Sequence, residues 1–401
     1  MDGSGPTFRP LGRSAHGVHH RRPRGGFRLS AQPFVPPPYP YDRLNSLKSD
    51  ILERHDSVVD LSIGTPFDPP PPEVVAALST SGAERSYPPS VGTADFHAAV
   101  QRWLSRRFDV SAQSGQIGAT VGSKEFVALL PQFMSLRSPG RDTVLYPEVS
   151  YPSYAMGATL AGLRAVPVAM GPSGRLDLGS VDVDDVDRAL LLWVNSPGNP
   201  TGHLEDLGAV AAWGRANAVP VFSDECYIEF TWNGPGRTIL QHGHKGVVAV
   251  HSLSKRSNFA GARSGFYVGD PELVDYLREV RKHAGLLMPG PVQAASIVAL
   301  DDDQHVEAQR HRYRDRLKRL AEVLARWSGV PVKLPDGAFY LWVPTTNGWE
   351  FAQRLAHAGG ALVSPGEFYG PAGSGHVRVA VVQPDDRIDV VVERLQRAVG
   401  T

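Results

Sequence analysis

Two hydrophobic periods alternate along this chain. Short, almost unbroken apolar runs occur at Thr143–Tyr146, Leu163–Ala169, Ala189–Val194, Val219–Ser223, Val247–His251 and Ser264–Val268. Runs of this length and composition predict strands buried on both faces. Amphipathic stretches at Ala94–Phe108 and Lys124–Leu136 predict helices. Strands alternating with helices predict a layered α/β domain around a mostly parallel sheet. Before it, a proline-rich arm (Pro33, Pro36, Pro37, Pro38, Pro40) leads to a short helix near Leu44–Arg54 and a strand at Val58–Ile63. Prolines 70 to 72 cannot stand inside a helix, so the tract from Pro69 predicts an extended crossing segment. From Val292 to Trp327 the pattern predicts one long polar helix with a solvated face. Strands at Phe339–Val343 and His376–Val382, with helices at Trp349–Ala358 and Pro384–Val399, predict a second, smaller α+β domain.

Composition narrows the function classes. The 401 residues carry 41 Lys and Arg against 41 Asp and Glu, which argues against nucleic-acid or membrane-surface binding. No apolar run approaches a bilayer span. The single cysteine, Cys226, permits no intramolecular disulfide and fits a reducing, cytoplasmic setting. Residues 1–33 differ, holding six arginines and one acid without periodicity. They read as a disordered extension or an upstream start, with a transit peptide or a metal tract at His16, His19 and His20 as rivals. A twin-arginine export signal is excluded because no apolar segment follows Arg21-Arg22.

The candidate chemistry lies where strands end, since open α/β sheets bind ligands at their carboxyl edge. Lys255 follows the run Val247–His251, with Ser252 three residues before it and Arg263 eight after. A hydroxyl and a guanidinium around a lysine suit a phosphate-bearing aldehyde such as pyridoxal phosphate, whose carbonyl condenses with the amine. After Val219–Ser223 comes Asp224, able to face a pyridine nitrogen and keep it protonated, and then Tyr227. After Ala189–Val194 the turn Asn199-Pro200-Thr201-Gly202 can present Asn199 as a donor; Asn199 and Tyr227 could both bond a ring oxygen. Tyr151, beyond Thr143–Tyr146, could stack on the ring. Gly122-Ser123-Lys124 opens a helix whose N–H groups, with Ser123 as cap, suit a phosphate. Arg378, on the smaller domain, could clamp a carboxylate. Each residue has an ordinary structural reading alone; their joint order does not.

Over roughly residues 34–400 these motifs resemble the fold-type I pyridoxal-phosphate enzymes of the class I/II aminotransferase family. The carriers are Asn199-Pro200-Thr201-Gly202, Asp224-x-x-Tyr227, Ser252-x-x-Lys255 and Arg263. The resemblance implies four segments: the extension at 1–33, an arm with part of the small domain at 34–60, a large cofactor domain at 61–291 and a small domain at 292–401. It also implies a homodimer in which Tyr87 reaches the neighbouring subunit's phosphate, and Gly64 near the substrate carboxylate. Asp60–Pro66, Gly122–Glu125, Ser223–Tyr227, Ser252–Asn258, Arg281–Gly285, Pro291–Ala295 and Pro365–Gly370 are most similar to actinobacterial-type N-succinyldiaminopimelate aminotransferases. That likeness implies glutamate as donor and N-succinyl-2-amino-6-oxopimelate as acceptor. Aspartate or another amino acid, or a lyase or cyclase reaction on the same scaffold, remain alternatives. A transcription regulator on this fold would need an N-terminal winged helix, for which residues 1–33 are too short. Ala262, Phe96-His97 and Ala338-Phe339-Tyr340 depart from the subgroup. Lys124, Arg256 and Lys282 are the candidates for reading a distal carboxylate.

Overall fold

The computed structural model describes residues 34–399. The readings made for residues 1–33 lie outside the described residues. Of the first of two compact units, residues 34–39 are described; they are exposed and carry no helix or strand.

From Pro40 onward twelve strands follow in chain order. They are β1 (Val59–Asp60), β2 (Ile117–Thr120), β3 (Thr143–Pro147), β4 (Arg164–Val168), β5 (Ala189–Asn195), β6 (Val221–Asp224), β7 (Val247–Ser252), β8 (Gly265–Gly269), β9 (Tyr340–Pro344), β10 (Ala361–Leu362), β11 (Ser364–Pro365) and β12 (His376–Ala380). Seven form one sheet in the order β2-β8-β7-β6-β5-β3-β4. Its strands from β3 to β7 are parallel, and β8 runs antiparallel to both β7 and β2. Alternate residues of the central strands feed opposite faces: Val247 and Ala249 pack into one apolar core, Val248 and Val250 into another. Covering both faces removes any polar alternation, which is why these strands read as plain apolar runs.

The helix Ala94–Phe108 is as the sequence predicts, capped by Thr93, whose Oγ1 accepts from the Phe96 amide at 3.2 Å. Phe96, Val100, Trp103 and Leu104 recur at helical spacing and are all buried against the sheet. The proline tract is extended only as far as Pro71; Pro72 is the first residue of a helix to Thr80, where its missing N–H costs nothing.

The expected single helix from Val292 to Trp327 is instead two, Gly290–Asp301 and Gln304–Ser328. Asp302 has extended backbone there (φ −104°, ψ 114°). Its carboxylate accepts from the Gln304 amide at 2.7 Å and meets His305 Nδ1 at 2.8 Å. An aspartate favours such bonds to nearby amides over a helix interior, so the break at Asp302 is local chemistry that hydrophobic period alone hides.

The remaining strands make an antiparallel sheet, β11-β12-β9, and a parallel pair, β1-β10. Helices Gly348–Gly359 and Asp385–Val399 share an apolar core with them. Val59 and Asp60, near the start, thus pair with Ala361 and Leu362 near the end.

Candidate active site

Sheet register gathers the chemistry along one edge. Asn195, Asp224 and Val250 lie abreast on β5, β6 and β7. Ser252, Gly265 and Thr120 lie abreast on β7, β8 and β2. Because β8 is antiparallel, it begins where its neighbours end, so Arg263 enters the edge that β2, β5, β6 and β7 leave. The turns after these strands carry Gly122, Asn199, Tyr227 and Lys255.

Local structure fixes each side chain. Ser252 caps the short helix Leu253–Arg256, its Oγ accepting from the Ser254 amide at 3.2 Å, and Lys255 is the third residue of that turn. Gly122, at φ 73°, is the residue before the helix Ser123–Arg137. Ser123 is therefore the first helical residue and not the cap that the sequence suggests; no side-chain cap bond forms there. A Cβ on Gly122 would collide with the Arg263 guanidinium, so glycine is what lets the two approach. Arg263 itself is left-handed (φ 60°), and its Nη1 donates to the Ala260 carbonyl at 2.9 Å.

The Lys255 ammonium donates to the Gly64 carbonyl. Burial brings its pKa from about 10.5 down to about 8; Arg378 and Arg263 press the same way, while Cys226 and Asp224 oppose. Asp224 is 6% exposed and accepts from the Tyr154 hydroxyl at 2.8 Å and the Cys226 amide at 3.2 Å. Burial raises its pKa, and the bonds from Cys226 and Tyr154 and the Lys255 charge resist that rise. Cys226 Sγ donates to Ser123 Oγ at 3.2 Å, tying the Asp224 turn to the start of the Ser123 helix. Asn195 holds this geometry from below, its amide donating to the Asp224 carbonyl at 2.8 Å while its Oδ1 accepts from the Asn199 amide at 2.7 Å.

Arg378 arrives from β12 and is fully buried. Its Nη1 donates to Asn199 Oδ1 at 2.7 Å, and its Nη2 to the Ser62 carbonyl and to the Tyr41 hydroxyl, the latter at 3.3 Å. The rings of Tyr340 and Tyr369 lie 4.2 and 4.7 Å from the guanidinium carbon. Burial works against its charge, but the tyrosines around it keep it protonated. Tyr227 meets Tyr340 hydroxyl to hydroxyl at 2.8 Å.

Lys255, Asp224, Tyr227, Asn199, Arg378, Gly64, Gly122, Ser123 and Arg263 are thus linked through shared contacts, and Ser252 adjoins them as the cap of the Lys255 turn. Tyr151 is half-buried beside Tyr154, edge to face at 5.9 Å. Lys124 is exposed, and Tyr87, 96% exposed, lies outside the cluster. Arg256 is not available for substrate: it is 4% exposed and bonded to Glu229, Asp303 and the Ala299 carbonyl. Lys282 pairs with Glu279 at the surface, at 2.7 Å. Sequence reasoning missed Tyr154, Tyr369 and Tyr41, and left Tyr340 without a role. Tyr154 had one signal, its place three residues beyond Tyr151 at the opening of a helix.

The residues fit pyridoxal phosphate. Three cations, Lys255, Arg263 and Arg378, face one buried carboxylate, Asp224, so the site carries uncompensated positive charge. Arg378 Nε is buried without a hydrogen-bond partner among the described residues. The glycine-led start of the Ser123 helix adds N–H groups suited to an anion. An anionic ligand with a carbonyl for the lysine and a basic nitrogen for the aspartate satisfies all of these.

A seven-stranded α/β sheet with lysine, aspartate and arginine so arranged defines a fold-type I pyridoxal-phosphate enzyme. Residues 56–395 match the model of aminotransferase class I and II, and the chain belongs to that family, whose members depend on pyridoxal phosphate. A probable aminotransferase of Mycobacterium tuberculosis is 39% identical over 381 residues, 93% of this chain and 87% of that one. The 4-dedimethylamino-4-oxo-anhydrotetracycline transaminase OxyQ of Streptomyces rimosus is 39% identical over 370 residues, 90% of this chain and 99% of that one. Among solved structures, a probable N-succinyldiaminopimelate aminotransferase from Thermus thermophilus superposes with a TM-score of 0.80 at 29% identity, covering 89% of this chain and 99% of that one. This protein is an aminotransferase acting on amino and keto acids. Among the described residues no helix is long and apolar enough to cross a membrane, and no cluster of side chains is suited to a metal.

Proposed function

We propose that this aminotransferase moves an amino group from glutamate to N-succinyl-2-amino-6-oxopimelate, giving N-succinyl-LL-2,6-diaminopimelate for lysine and cell-wall synthesis. The observation that carries transamination is the meeting of Lys255, Asp224 and Arg378 at one edge. The acceptor is supported by the likeness to the Thermus thermophilus structure.

Pyridoxal phosphate, when bound, supplies a carbonyl for the amine and a ring that draws electrons from the substrate's Cα. In this reading Lys255 would hold the cofactor through its amine and, as a free amine, would take the proton from the substrate's Cα. A lysine whose pKa lies near 8 is partly neutral near pH 7, as a general base must be. Asp224, braced by Tyr154, would pair with the ring nitrogen and keep it protonated. Tyr227 and Asn199 would donate to the ring oxygen, and Tyr151 would stack on the ring. Gly122, Ser123, Lys124, Ser252 and Arg263 would hold the phosphate with Tyr87 of the partner subunit. Arg378, with Asn199 and Gly64, holds the α-carboxylate and so orients the Cα–H bond.

The proposed unit is a cytoplasmic homodimer; the near-complete exposure of Tyr87 supports a role outside its own subunit. The proposed large domain is 61–291, and 34–60 joins 292–401 in the small one. The pairing of β1 with β10 supports grouping the chain's start with its end.

The likeness to OxyQ favours a second reading, in which the acceptor is a ketone on a larger ring system. Single-turnover spectra of the loaded enzyme separate the two. Glutamate, aspartate and N-succinyl-LL-diaminopimelate are added separately, and the shift in cofactor absorbance is timed. The succinylated amino acid is expected to react much faster per unit concentration than aspartate. Reaction with glutamate but not with the succinylated compound would sink the proposed acceptor and favour the second reading. No reaction with any of the three would sink transamination by this site as read.

A further inference from the structure

Tyr340 opens β9. It is 1% exposed and touches three groups that come from different parts of the chain. Its hydroxyl is 2.8 Å from that of Tyr227. Its ring lies 4.2 Å from the Arg378 guanidinium carbon. Its phenol also abuts the backbone of Gly64, where an added Cβ would collide with it. The sheet explains the second contact: Tyr340 pairs with Ala380 and Trp342 with Arg378, so Tyr340 and Arg378 are diagonal neighbours on one face.

Two phenols this close share one hydrogen bond, so one donates and the other keeps a free proton. Among the described residues the Tyr340 hydroxyl bonds only to Tyr227. With a ligand acceptor at Tyr227, donation by Tyr227 to Tyr340 would leave the Tyr340 proton buried without an acceptor, which is costly. If Tyr340 donates, its proton is satisfied and the Tyr227 proton is free for a ligand.

We propose that Tyr340 is a positioning residue that acts through two neighbours. Its phenol donates to Tyr227 and so directs the Tyr227 proton to the cofactor's ring oxygen, while its ring fixes the plane of the Arg378 guanidinium. This rests on the roles given above to Tyr227 and Arg378. The two functions are separable, because one belongs to the oxygen and the other to the ring. Hydrogen bonds in series polarise one another, so the Tyr340 oxygen strengthens what Tyr227 offers. The ionisable groups facing this pair are Arg378, Cys226 and Tyr41, with Lys255 close to Cys226 and Arg378. None of them takes over the bond to Tyr227.

The test uses the loaded enzyme with Tyr340→Phe, Tyr340→Leu and Tyr227→Phe. A weaker donor leaves negative charge on the ring oxygen less stabilised, so the adjacent proton is held more tightly. In Tyr340→Phe the pH midpoint of the visible absorbance is therefore expected to rise by about half a unit. In that variant kcat falls and KM for the amino donor stays within about twofold, because the ring under Arg378 remains. Tyr340→Leu is expected to show the same midpoint rise and, in addition, a KM raised about tenfold. Tyr227→Phe should move the midpoint further than Tyr340→Phe. An unmoved midpoint in Tyr227→Phe would overturn the reading of the site itself. A midpoint that moves in Tyr227→Phe but stays in place in Tyr340→Phe would overturn the role of Tyr340 alone. Equal KM increases in Tyr340→Phe and Tyr340→Leu would overturn the assignment of its ring to Arg378.

Discussion

Glu225, next to Asp224 but pointing away from the site, gives a sharp test of the electrostatics beneath it. It is 0% exposed, and burial lifts its pKa from 4.5 to about 7. One carboxylate oxygen accepts from the Ile239 amide at 2.8 Å; the other stands 3.7 Å from His251 Nε2. His251 offers no countercharge, since burial takes its own pKa down to about 3. A carboxyl whose folded pKa is raised gives stability that is full below its unfolded value and lost as pH climbs to the folded one. The window is therefore pH 4.5 to about 7. A rise of this size corresponds to about 3 kcal/mol lost across the window. Glu225→Gln has the same shape, keeps an acceptor for Ile239, and does not ionise. The variant should thus gain on the parent by about 3 kcal/mol between about pH 4 and pH 8. For a chain of this length that is a relative shift in melting temperature of about 3–4 °C. Melting both proteins in cofactor-free form across that range measures it, and His251 titrates in both, so the difference isolates Glu225. A difference that stays flat with pH would refute the reasoning, because it would mean that Glu225 is never ionised in the fold or ionises without cost.

Two further outcomes follow from the same physics. Lys255→Met should stabilise the cofactor-free protein at neutral pH by about 1–2 kcal/mol, less than the full shift implies because the lysine keeps some solvent contact. That gain should vanish as pH rises from about 8 towards 10.5, where the parent's lysine is neutral in both states; melting curves that show a pH-independent difference would contradict it. Ala338, buried in left-handed backbone at φ 60°, should gain about 1 kcal/mol in denaturant stability on conversion to Gly, and a loss would show that its methyl packing outweighs the strain.

What the sequence revealed and what it hid divide along physical lines. Strands buried on both faces announce themselves, so β3, β5 and β7 were legible within a residue or two. A helix with a strong face and a Thr cap, Ala94–Phe108, was legible to the residue. Hidden were elements whose identity depends on partners far along the chain. β10 is two residues long, and only its pairing with β1, the two-residue core of the strand expected at Val58–Ile63, makes it a strand. The break at Asp302 depends on bonds to Gln304 and His305 and is fixed further by Arg256, whose guanidinium reaches the Asp302 carbonyl at 3.3 Å. For the site, residues that follow strands in fixed order stood out, whereas the tyrosines around Arg378 did not. Tyr41, Tyr340 and Tyr369 come from three distant segments, and an aromatic residue in a sequence reads first as core. Arg256 failed as a substrate candidate for the same reason in reverse: charge suggested exposure, and only the fold reveals Glu229 and Asp303 waiting for it.

The parallel pairing of β1 with β10 sets an order in time as well as space. A nascent chain emerges from its beginning, so every strand of the seven-stranded sheet is available before residue 300 has been made. Val59 and Leu61 must wait longer, because the backbone groups that complete them belong to Gly360, Leu362 and Ala380. Gly64, which meets Lys255, sits at the end of that waiting segment. The lysine is thus housed early, while its carbonyl partner and Arg378 are set in place only once β10 and β12 have been made. A chain cut short between residues 255 and 378 would carry the amine without the arginine that meets Asn199. Completion of the site thus waits on β12, a strand made long after the one that carries the lysine.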